Sequence, residues 1–331
     1  MFPIEIGIVN FLQSCVTAEL AEVLRRQKYQ TVGRHSAAKK CHWLHKSLTE
    51  NHPCYKQKFY GIQSHRCLQM TPTLICNMRC KFCWRIQPDD FSIPWTVSAG
   101  TEWDDPRKLV EECFKAQLKI LSGYNGQVLE GKVDPEKYFE ALHPRHVAIS
   151  LDGEPTLYPS LGSLIHEFKR NGLTVFLVTN GTNPKVLESL NEEPSQLYIS
   201  LCAPDPSTFV TVCRPSIPDA WENLMKTLSM LPSFSCPTAI RTTLVKDLNL
   251  NSPEEYAKLL RPVTPTYVEP KSYMYVGYSR SRLSLDSMPS HKDVVDFSRK
   301  LAAEMSYKIL DESPESRVVL LSRLEKPIKI S

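Results

Sequence analysis

The segment Cys76-Asn-Met-Arg-Cys80-Lys-Phe-Cys83 places three cysteines within eight residues, in the pattern C-x3-C-x2-C. It directly follows the β-rich stretch LQMTPTLI at residues 68–75, which predicts a strand. Three thiolates this close together can hold three irons of a [4Fe–4S] cube and leave the fourth iron open. Zinc sites with four cysteines usually use C-x2-C pairs, and the chain has no matching second pair. The spacing therefore favours an iron–sulfur centre over zinc.

Strand and helix patterns alternate after the cysteine motif. Stretches rich in β-formers occur at 68–75, 146–151, 173–179, 196–202, 238–245 and 266–277. Helical patterns occur at 106–122, 159–171, 184–191, 219–231, 253–261 and 290–305. This order predicts an α/β fold with a parallel sheet, which is either an open doubly wound sheet or a partial barrel. The stretch VVLLSRL at 318–324 is a candidate for one more strand.

Two short motifs end predicted strands, at the place where barrel enzymes carry their chemistry. The second strand runs into Ser150-Leu-Asp-Gly-Glu-Pro155, and the third runs into Thr179-Asn180-Gly181. Together with the cysteine motif and its Phe82, these motifs resemble the radical S-adenosylmethionine superfamily over about residues 68–280. Asp152 departs from the pattern, because the superfamily has the first glycine of its G-G-E-P element there.

The resemblance implies a partial (β/α)6 TIM-like barrel that uses S-adenosylmethionine, with a [4Fe–4S] cluster held by the three cysteines of the motif. Glu154 is the carboxylate expected to bind the amino group of the methionine moiety. Thr179 and Asn180 lie where the superfamily binds the ribose and the carboxylate. Ser200, near the end of the fourth predicted strand, is a similar candidate.

A second set of three cysteines precedes the motif, at Cys41, Cys54 and Cys67, with the spacing C-x12-C-x12-C. Such wide intervals require a separate turn for each cysteine. The surroundings (KKCHWLHK, HPCYKQK and SHRC) are polar and basic, which favours a second cluster with an open iron over three isolated core cysteines. The remaining cysteines are predicted to be mostly small buried apolar side chains: Cys15, Cys113, Cys202, Cys213 and Cys236.

Residues 34–86 contain HSAAKKCHWLHKS and CYKQKFYGIQSHRCLQMTPTLICNMRCKFCWR, and SLDGEPTLYP follows farther on. These segments resemble the tRNA 4-demethylwyosine synthase family, and the resemblance extends over essentially the whole chain. It implies two [4Fe–4S] clusters. Eukaryotic members carry an additional flavodoxin-like domain, for which 331 residues leave no room. The resemblance is therefore to the stand-alone archaeal-type form, and an external flavodoxin- or ferredoxin-like electron donor is expected.

The reaction implied by this resemblance is a radical condensation. Cleavage of S-adenosylmethionine gives a 5′-deoxyadenosyl radical, which takes a hydrogen atom from the methyl group of 1-methylguanosine at position 37 of tRNA(Phe). The resulting carbon radical adds to pyruvate, the carboxyl carbon is lost, and the third ring of 4-demethylwyosine closes. Pyruvate is expected either on the open iron of the second cluster or as a Schiff base on a lysine. Lys56 is the first candidate for that lysine, and Lys271 in EPKSYM is the second.

Positive charge is concentrated between Arg25 and Arg85, where thirteen Lys and Arg residues accompany one acid, Glu50. The whole chain has a net charge of only +4. Interleaved aromatic residues favour a nucleic-acid surface over an ordinary solvated face. A tRNA anticodon loop fits this surface, because single-stranded loops are held by stacking and phosphate contacts. The candidate contacts are Lys39, Lys40, Arg66, Arg79, Trp84 and Arg85.

The chain is predicted to consist of a basic N-terminal extension at 1–67, which would carry the auxiliary cluster, and a barrel with a C-terminal extension at 68–331. The two parts are expected to form one compact unit. An amphipathic helix is predicted over about 15–28, followed by a loop-rich segment to about residue 67. The sequence contains no run of 18 apolar residues and no basic region ahead of its apolar N-terminus. We therefore expect a cytoplasmic protein without a membrane span. Nothing in the sequence suggests an obligate dimer, so a monomer is expected.

Two alternatives remain at this stage. One is a different radical S-adenosylmethionine enzyme with two clusters, such as a glycyl-radical activating enzyme or an RNA-modifying methylthiotransferase. The other is a zinc-dependent nucleic-acid-binding module without catalysis. Metal content separates the last one, because it would bind zinc instead of iron and acid-labile sulfide.

Overall fold

A ten-stranded mixed sheet organises the chain in the computed structural model, which describes residues 18–91 and 101–330. The strands are β1 (Tyr29–Val32), β2 (Ser36–Lys39), β3 (Cys67–Thr71), β4 (His146–Ile149), β5 (Thr174–Thr179), β6 (Gln196–Ser200), β7 (Thr238–Leu244), β8 (Tyr267–Ser272), β9 (Lys308–Ser313) and β10 (Val318–Ser322). Their spatial order is β1-β2-β3-β4-β5-β6-β7-β8-β10-β9. All six predicted parallel strands are present, and the candidate strand at 318–324 is β10.

The six central strands decide between the two sheet types. Strands β3 to β8 are parallel and lie side by side in the same order as in the chain. A doubly wound sheet would reverse its strand order at a switch point, and this order has none. Crossovers of one hand then place the connecting helices on one face, and the twisted sheet curves into a barrel. The fold is a partial TIM-like barrel, as the resemblance predicted.

Antiparallel strands extend both sides of the parallel array. On one side β2 pairs with β3, and β1 pairs with β2. On the other side β10 pairs with β8, and β9 pairs with β10. The predicted domain boundary falls next to Cys67, the first residue of β3, and the sheet continues across it.

The helices connect and cover these strands. They are α1 (Ala18–Arg26), α2 (His42–Thr49), α3 (Tyr55–Tyr60), α4 (Pro88–Phe91), α5 (Pro106–Ser122), α6 (Asn125–Leu129), α7 (Pro135–Ala141), α8 (Leu161–Arg170), α9 (Pro184–Glu188), α10 (Pro206–Cys213), α11 (Ala220–Met230), α12 (Pro253–Leu260) and α13 (His291–Met305). The six helices predicted downstream of the cysteine motif correspond to α5, α8, α9, α11, α12 and α13. Capping signals fix several starts: Asp105 accepts from backbone N–H groups of α5, and Ser290 forms a capping box with Asp293.

The expectation of a loop-rich segment up to residue 67 is wrong. That segment contains β1, β2, α2, α3 and a short 3-10 helix at Ser64–Arg66. Each of these elements is only three to eight residues long, so hydrophobic periodicity has too few repeats to show them. The helix predicted over about 15–28 corresponds to α1, which is described from Ala18 and ends at Arg26. Residues 15–17, including Cys15, lie outside the described residues.

A large apolar core lies between the parallel strands and their helices. It includes fully buried side chains from β4, β5 and β6, such as Val147, Leu177 and Ile199. In the described ranges no helix combines the length and the apolar character that a membrane crossing needs.

Gly153, in the loop after β4, has a backbone conformation and surroundings that only glycine tolerates. Its φ is +58°, and a Cβ added there would lie 2.1 Å from the Thr73 carbonyl oxygen. We expect Gly153→Ala to lower the free energy of unfolding by about 3 kcal/mol, from backbone strain together with the forced displacement. The matched control is Gly126→Ala in exposed α6, where a Cβ meets nothing within 4 Å. Urea unfolding curves compare the two, and equal midpoints would contradict the expectation.

Candidate active site

A cavity of about 500 Å3 opens inside the barrel and at the carboxyl ends of its strands. All twelve site residues predicted from the sequence line this one cavity, including both sets of cysteines. Each of the six parallel strands contributes to its wall, through Gln69, Ala148, Val178, Ser200, Arg241 and Lys271. Residues that are up to 230 positions apart in the chain therefore meet because parallel strands end at one mouth.

The loop that carries Cys76, Cys80 and Cys83 is held by contacts to the ends of other elements. The Asn77 side chain donates to Thr182 Oγ1 (2.8 Å) and accepts from Asn180 Nδ2 (2.7 Å). The Arg79 backbone N–H donates to the carbonyl of Cys213 at the end of α10 (3.1 Å). All three cysteines are half-buried and line the cavity. Asn77, which was not predicted, thus links the cysteine loop to the turn after β5.

The second set of cysteines comes from three separate elements, as its spacing predicted. Cys41 immediately precedes α2, Cys54 immediately precedes α3, and Cys67 begins β3. Burial raises the pKa of all three thiols, that of Cys54 to about 12, and their proximity to one another adds to the effect at Cys54 and Cys67. Any metal bound by these thiols would have to displace their protons, so its binding would be coupled to proton release.

The two cysteine sets differ from a compact single-ion site. Within the ranges 18–91 and 101–330, no three His, Cys, Asp or Glu groups converge closely enough to hold one metal ion. A zinc ion would need four donors around one point. A cube instead takes each thiolate at a different iron, so its ligands stay apart. Cysteines of both sets line the cavity.

Glu154 is buried beside the first cysteine set and is oriented by the turn after β5. Its Oε1 accepts from Thr179 Oγ1 (2.5 Å) and from the backbone N–H and hydroxyl of Thr156 (3.0 and 2.8 Å). Its Oε2 accepts from the Asn180 backbone N–H (2.7 Å). Burial raises the pKa of Glu154, and these hydrogen bonds oppose that rise. Thr179 and Asn180, both predicted as cofactor contacts, therefore position Glu154 directly.

Asp152, the departure from the G-G-E-P element, has a structural role. Its carboxylate accepts from the Gly153 backbone N–H (2.8 Å) and from the hydroxyl of Tyr29 on β1 (3.2 Å). Burial raises the pKa of Asp152 to about 6, although the neighbouring guanidinium of Arg85 opposes the rise. The second glycine of the element is indispensable here, whereas the first position accommodates a side chain that ties β1 to the site.

Lys56 and Lys271 both face the inner part of the cavity. Lys56 Nζ lies 4.4 and 4.3 Å from the ring centroids of Phe176 and Tyr198, and none of the described residues offers it a hydrogen-bond acceptor. Burial lowers the pKa of Lys56. Lys271 Nζ donates to the Ser316 carbonyl, and burial lowers its pKa to about 7. Both amines are therefore biased toward the neutral, nucleophilic form.

Sequence reasoning missed the polar groups that surround these lysines. Arg241, on β7, donates through Nη2 to the hydroxyl of Tyr55 (2.7 Å) and forms an ion pair with the buried carboxylate of Glu269 on β8. Glu269 also accepts from the hydroxyls of Tyr60 and Tyr198. The sequence did contain a signal for them. Arg241 and Glu269 are each a charged residue inside a predicted strand, in TAIRTTLV and TYVEPKSYM.

Several candidate tRNA contacts have partners within the protein. Arg79 donates to the carbonyls of Cys76 and Met78, and Arg66 donates to the carbonyl of His143. Arg85 donates to the Ser150 and Leu151 carbonyls. The ammonium groups of Lys39 and Lys40 lie over aromatic rings, and Trp84 lines the cavity.

Among the other cysteines, Cys113, Cys202 and Cys213 are buried as predicted, whereas Cys236 is half-buried.

Comparison with protein families agrees with this geometry. Residues 70–260 match the family described as the radical SAM superfamily, and residues 262–323 match the one described as wyosine base formation. The partial barrel and its cysteine loop thus define a radical S-adenosylmethionine protein, a class that uses a [4Fe–4S] cluster and S-adenosylmethionine.

Individual relatives show which family of radical S-adenosylmethionine proteins the chain belongs to. An S-adenosyl-L-methionine-dependent tRNA 4-demethylwyosine synthase from Pyrococcus abyssi is 51% identical, over 92% of this chain and 89% of its own length. The synthase from Methanocaldococcus jannaschii is 41% identical, over 95% and 98% respectively. This chain belongs to the tRNA 4-demethylwyosine synthase family.

Solved structures show the same relationship. A structure of TYW1 with a lysine-pyruvate adduct bound superposes with a TM-score of 0.85 at 38% identity, covering 96% of this chain and 100% of that one. A crystal structure of archaeal TYW1 has a TM-score of 0.77 at 36% identity, with 95% and 99% covered.

Proposed function

We propose that this chain converts 1-methylguanosine at position 37 of tRNA(Phe) into 4-demethylwyosine, with two carbons taken from pyruvate. The observation that carries the proposal is the convergence of two three-cysteine sets, Glu154 and Lys56 on one cavity. The names of the relatives support the tRNA product, and the lysine-pyruvate adduct in a structure 38% identical to this chain supports pyruvate. The alternative, a zinc-binding module without catalysis, would have no use for the cavity or for the buried lysines that face it.

The first cysteine set, Cys76, Cys80 and Cys83, would hold the radical cluster, and the second set would hold an auxiliary [4Fe–4S] cluster. When bound, the first cluster and S-adenosylmethionine supply the radical chemistry that activates the methyl group. The protein's own part is to bind and orient. Glu154 would receive the amino group of the methionine moiety, and Ser200, the last residue of β6, is proposed as a further contact. Thr179 and Asn180 would hold Glu154 in place.

Replacement of Glu154 tests that assignment. We expect Glu154→Gln to weaken S-adenosylmethionine binding by roughly 10- to 100-fold, because a charge-assisted hydrogen bond contributes about 1.5–3 kcal/mol. Equilibrium dialysis against the reconstituted protein measures the affinity, and iron content confirms that the clusters remain. Glu304→Gln, an exposed surface change on α13, is the control. Equal affinity of the two variants would remove Glu154 from the binding site.

Lys56 is proposed as the residue that holds pyruvate. Its neutral Nζ would attack the keto carbon of pyruvate, form the carbon–nitrogen double bond and release water, and hydrolysis would later restore the amine. Lys56 has no competing hydrogen bond among the described residues, whereas Lys271 is bound to the Ser316 carbonyl. Lys271 remains the second candidate, and chelation of pyruvate by the auxiliary cluster remains the alternative to an imine.

The substrate is tested by anaerobic reaction with two tRNA(Phe) preparations, one with 1-methylguanosine and one with guanosine at position 37. Each reaction contains S-adenosylmethionine, pyruvate and a strong reductant, and the nucleosides are weighed after digestion. The proposal requires a heavier nucleoside only from the methylated tRNA. If 5′-deoxyadenosine forms while both tRNAs keep their mass, the chain acts on another substrate.

The basic segment from Arg25 to Arg85 is proposed to bind the anticodon loop. Phosphate contacts release counterions, so tRNA affinity should fall steeply and linearly with salt on logarithmic axes. Exposed Lys40 is one such contact, and Lys40→Gln should reduce the salt slope by about 1. Lys292→Gln, on an exposed part of α13, should leave it unchanged. A salt-independent affinity, or equal slopes for both variants, would contradict this binding mode.

The remaining proposals concern the oligomeric state, the electron donor, the domains and the cellular location. We propose a monomer reduced by an external flavodoxin- or ferredoxin-like protein, in which residues 1–67 supply the auxiliary cluster and residues 68–331 supply the barrel. All ten cysteines in the described ranges are free thiols. Free thiols and iron–sulfur ligands suit a reducing compartment, which supports a cytoplasmic location.

A further inference from the structure

Arg85 follows the first cysteine set by two residues, and its guanidinium is turned back onto the last of those cysteines. Nη1 donates to Sγ of Cys83 across 3.8 Å. Nη2 donates to the Ser150 carbonyl (2.5 Å) and Nε donates to the Leu151 carbonyl, both just after β4. A guanidinium is a rigid planar fork, so the two carbonyls fix its plane and direct the remaining nitrogen at the sulfur.

Asp152 is the counter-ion of Arg85. Arg85 Nε lies 3.9 Å from Asp152 Oδ1, and the two side chains are 25% and 7% exposed. The other carboxylate oxygen, Oδ2, accepts from the hydroxyl of Tyr29 (3.2 Å). Charges this close interact more strongly in a largely buried setting than in water. Asp152 therefore moderates the positive charge that Arg85 presents to Cys83.

The other cations near this loop have different contacts. Arg79 donates to two backbone carbonyls of the loop, and Arg282 donates to the carbonyl of Cys83. Lys81 is half-buried, and its ammonium group has no partner among the described residues. In the part of the chain that the structure describes, Arg85 is thus the one cation that is hydrogen-bonded to a sulfur of the first set.

A hydrogen bond to a ligand sulfur affects the reduction potential of an iron–sulfur cluster, as do nearby charge and exposure to water. Residues that touch a ligand and not the metal tune metal sites in this way. A reduced cluster carries one more negative charge, so a donor and a positive charge at the sulfur stabilise the reduced state. Arg85 offers both to Cys83, whereas the carboxylate of Asp152 acts in the opposite sense.

We propose that Arg85 and Asp152 set the reduction potential of the radical cluster as an opposed pair. Arg85 raises the potential through Cys83, and Asp152 lowers it by partly neutralising Arg85. Both are positioning residues, because they act through a ligand of the cluster. A higher potential makes the cluster easier to reduce but a weaker reductant toward S-adenosylmethionine, so the pair balances these two requirements. The inference rests on the assignment of Cys83 to the radical cluster and is independent of the proposed tRNA and pyruvate.

A redox titration followed by electron paramagnetic resonance tests the pair without relying on turnover. The reconstituted protein is poised without oxygen at a series of potentials, and the radical cluster is identified as the signal that S-adenosylmethionine alters in a parallel sample. At the wild-type midpoint, Arg85→Gln should lower the ratio of reduced to oxidised cluster roughly tenfold, a shift of about 59 mV to lower potential. Arg85→Lys keeps the charge and should recover part of the shift. Asp152→Asn should shift the midpoint to higher potential.

Lys81→Gln is the matched control, because it removes a charge from the same loop without removing a hydrogen bond to a sulfur. Its ratio should change by less than about twofold, since a charge without a fixed contact is screened by water and salt. Equal shifts in Lys81→Gln and Arg85→Gln would overturn the inference. So would an unchanged potential in Arg85→Gln together with a tRNA salt slope reduced by about 1, which would assign Arg85 to a phosphate.

Iron content and thermal melting check that each variant is folded and holds its clusters. If Arg85→Gln does not keep the radical cluster, Asp152→Asn decides, because it leaves Arg85 and the cysteines in place. A midpoint in Asp152→Asn that is unchanged or shifted to lower potential would overturn the inference. Shifts of the expected signs in a protein that forms no tricyclic base would contradict the proposed function alone.

Discussion

Replacing Lys56 with alanine should lower the rate of tricyclic-base formation by roughly 10³-fold or more, as removal of an essential nucleophile does in other enzymes. The variant loses the amine that faces the cavity over the Phe176 and Tyr198 rings. Iron content and S-adenosylmethionine binding should be unchanged, since neither the cysteines nor Glu154 is altered. Nucleoside mass spectrometry of the digested tRNA measures the product.

Lys58→Ala is a closely matched control for that variant. Lys58 lies on the same short helix, α3, but its exposed Nζ forms an ion pair with Asp311 (2.6 Å) outside the cavity. We expect nearly wild-type product formation from it, because exposed ion pairs contribute little. If Lys56→Ala makes product at the rate of Lys58→Ala, the covalent role of Lys56 is wrong and chelation by the auxiliary cluster is favoured.

Replacing Cys54 with alanine should remove the auxiliary cluster and abolish product formation, while the radical cluster remains. The cluster would keep only Cys41 and Cys67 as protein ligands, and two thiolates do not hold a cube with an open iron. Roughly half of the iron should be lost, because each site takes one four-iron cluster. Iron and acid-labile sulfide assays, together with electron paramagnetic resonance of the reduced protein, measure the change.

Cys236→Ala provides the comparison for the cluster variant. Cys236 is half-buried, and it is absent from the wall of the cavity. Its iron content and activity should match those of the wild type. Iron content equal to that of the wild type in Cys54→Ala would contradict the assignment of Cys41, Cys54 and Cys67 as a cluster site.

Much of the barrel could be predicted from the sequence. The strands β4 to β7 are rich in β-branched and aromatic residues, and strong caps such as Asp105 and Ser290 mark helix starts. The choice between a doubly wound sheet and a barrel could not be made from periodicity, because it depends on which strands pair. The short elements β1, β2, α2 and α3 form in context, where β2 gains β3 as its partner.

The parts of the site that carry a sequence motif could be predicted, whereas the parts that depend on strand pairing could not. Motifs with tight spacing, such as the one at Cys76, could be read directly, and the resemblance supplied Glu154. Arg241 and Glu269 carry no motif, because each is a single charge within an otherwise ordinary strand. Their significance appears only when β7 and β8 pair and place Arg241 next to Glu269, in the cavity that Lys56 and Lys271 also line. Long-range pairing of this kind is invisible in one sequence.

The most direct test of the account uses pyruvate labelled with carbon-13 at one position at a time. The reconstituted protein is incubated without oxygen with S-adenosylmethionine, reductant and tRNA(Phe) that carries 1-methylguanosine at position 37, and the digested nucleosides are analysed by mass spectrometry. The account predicts a nucleoside that retains label from C2 and from C3 of pyruvate and none from C1. A nucleoside of unchanged mass, or a product that contains no carbon from pyruvate, would contradict it.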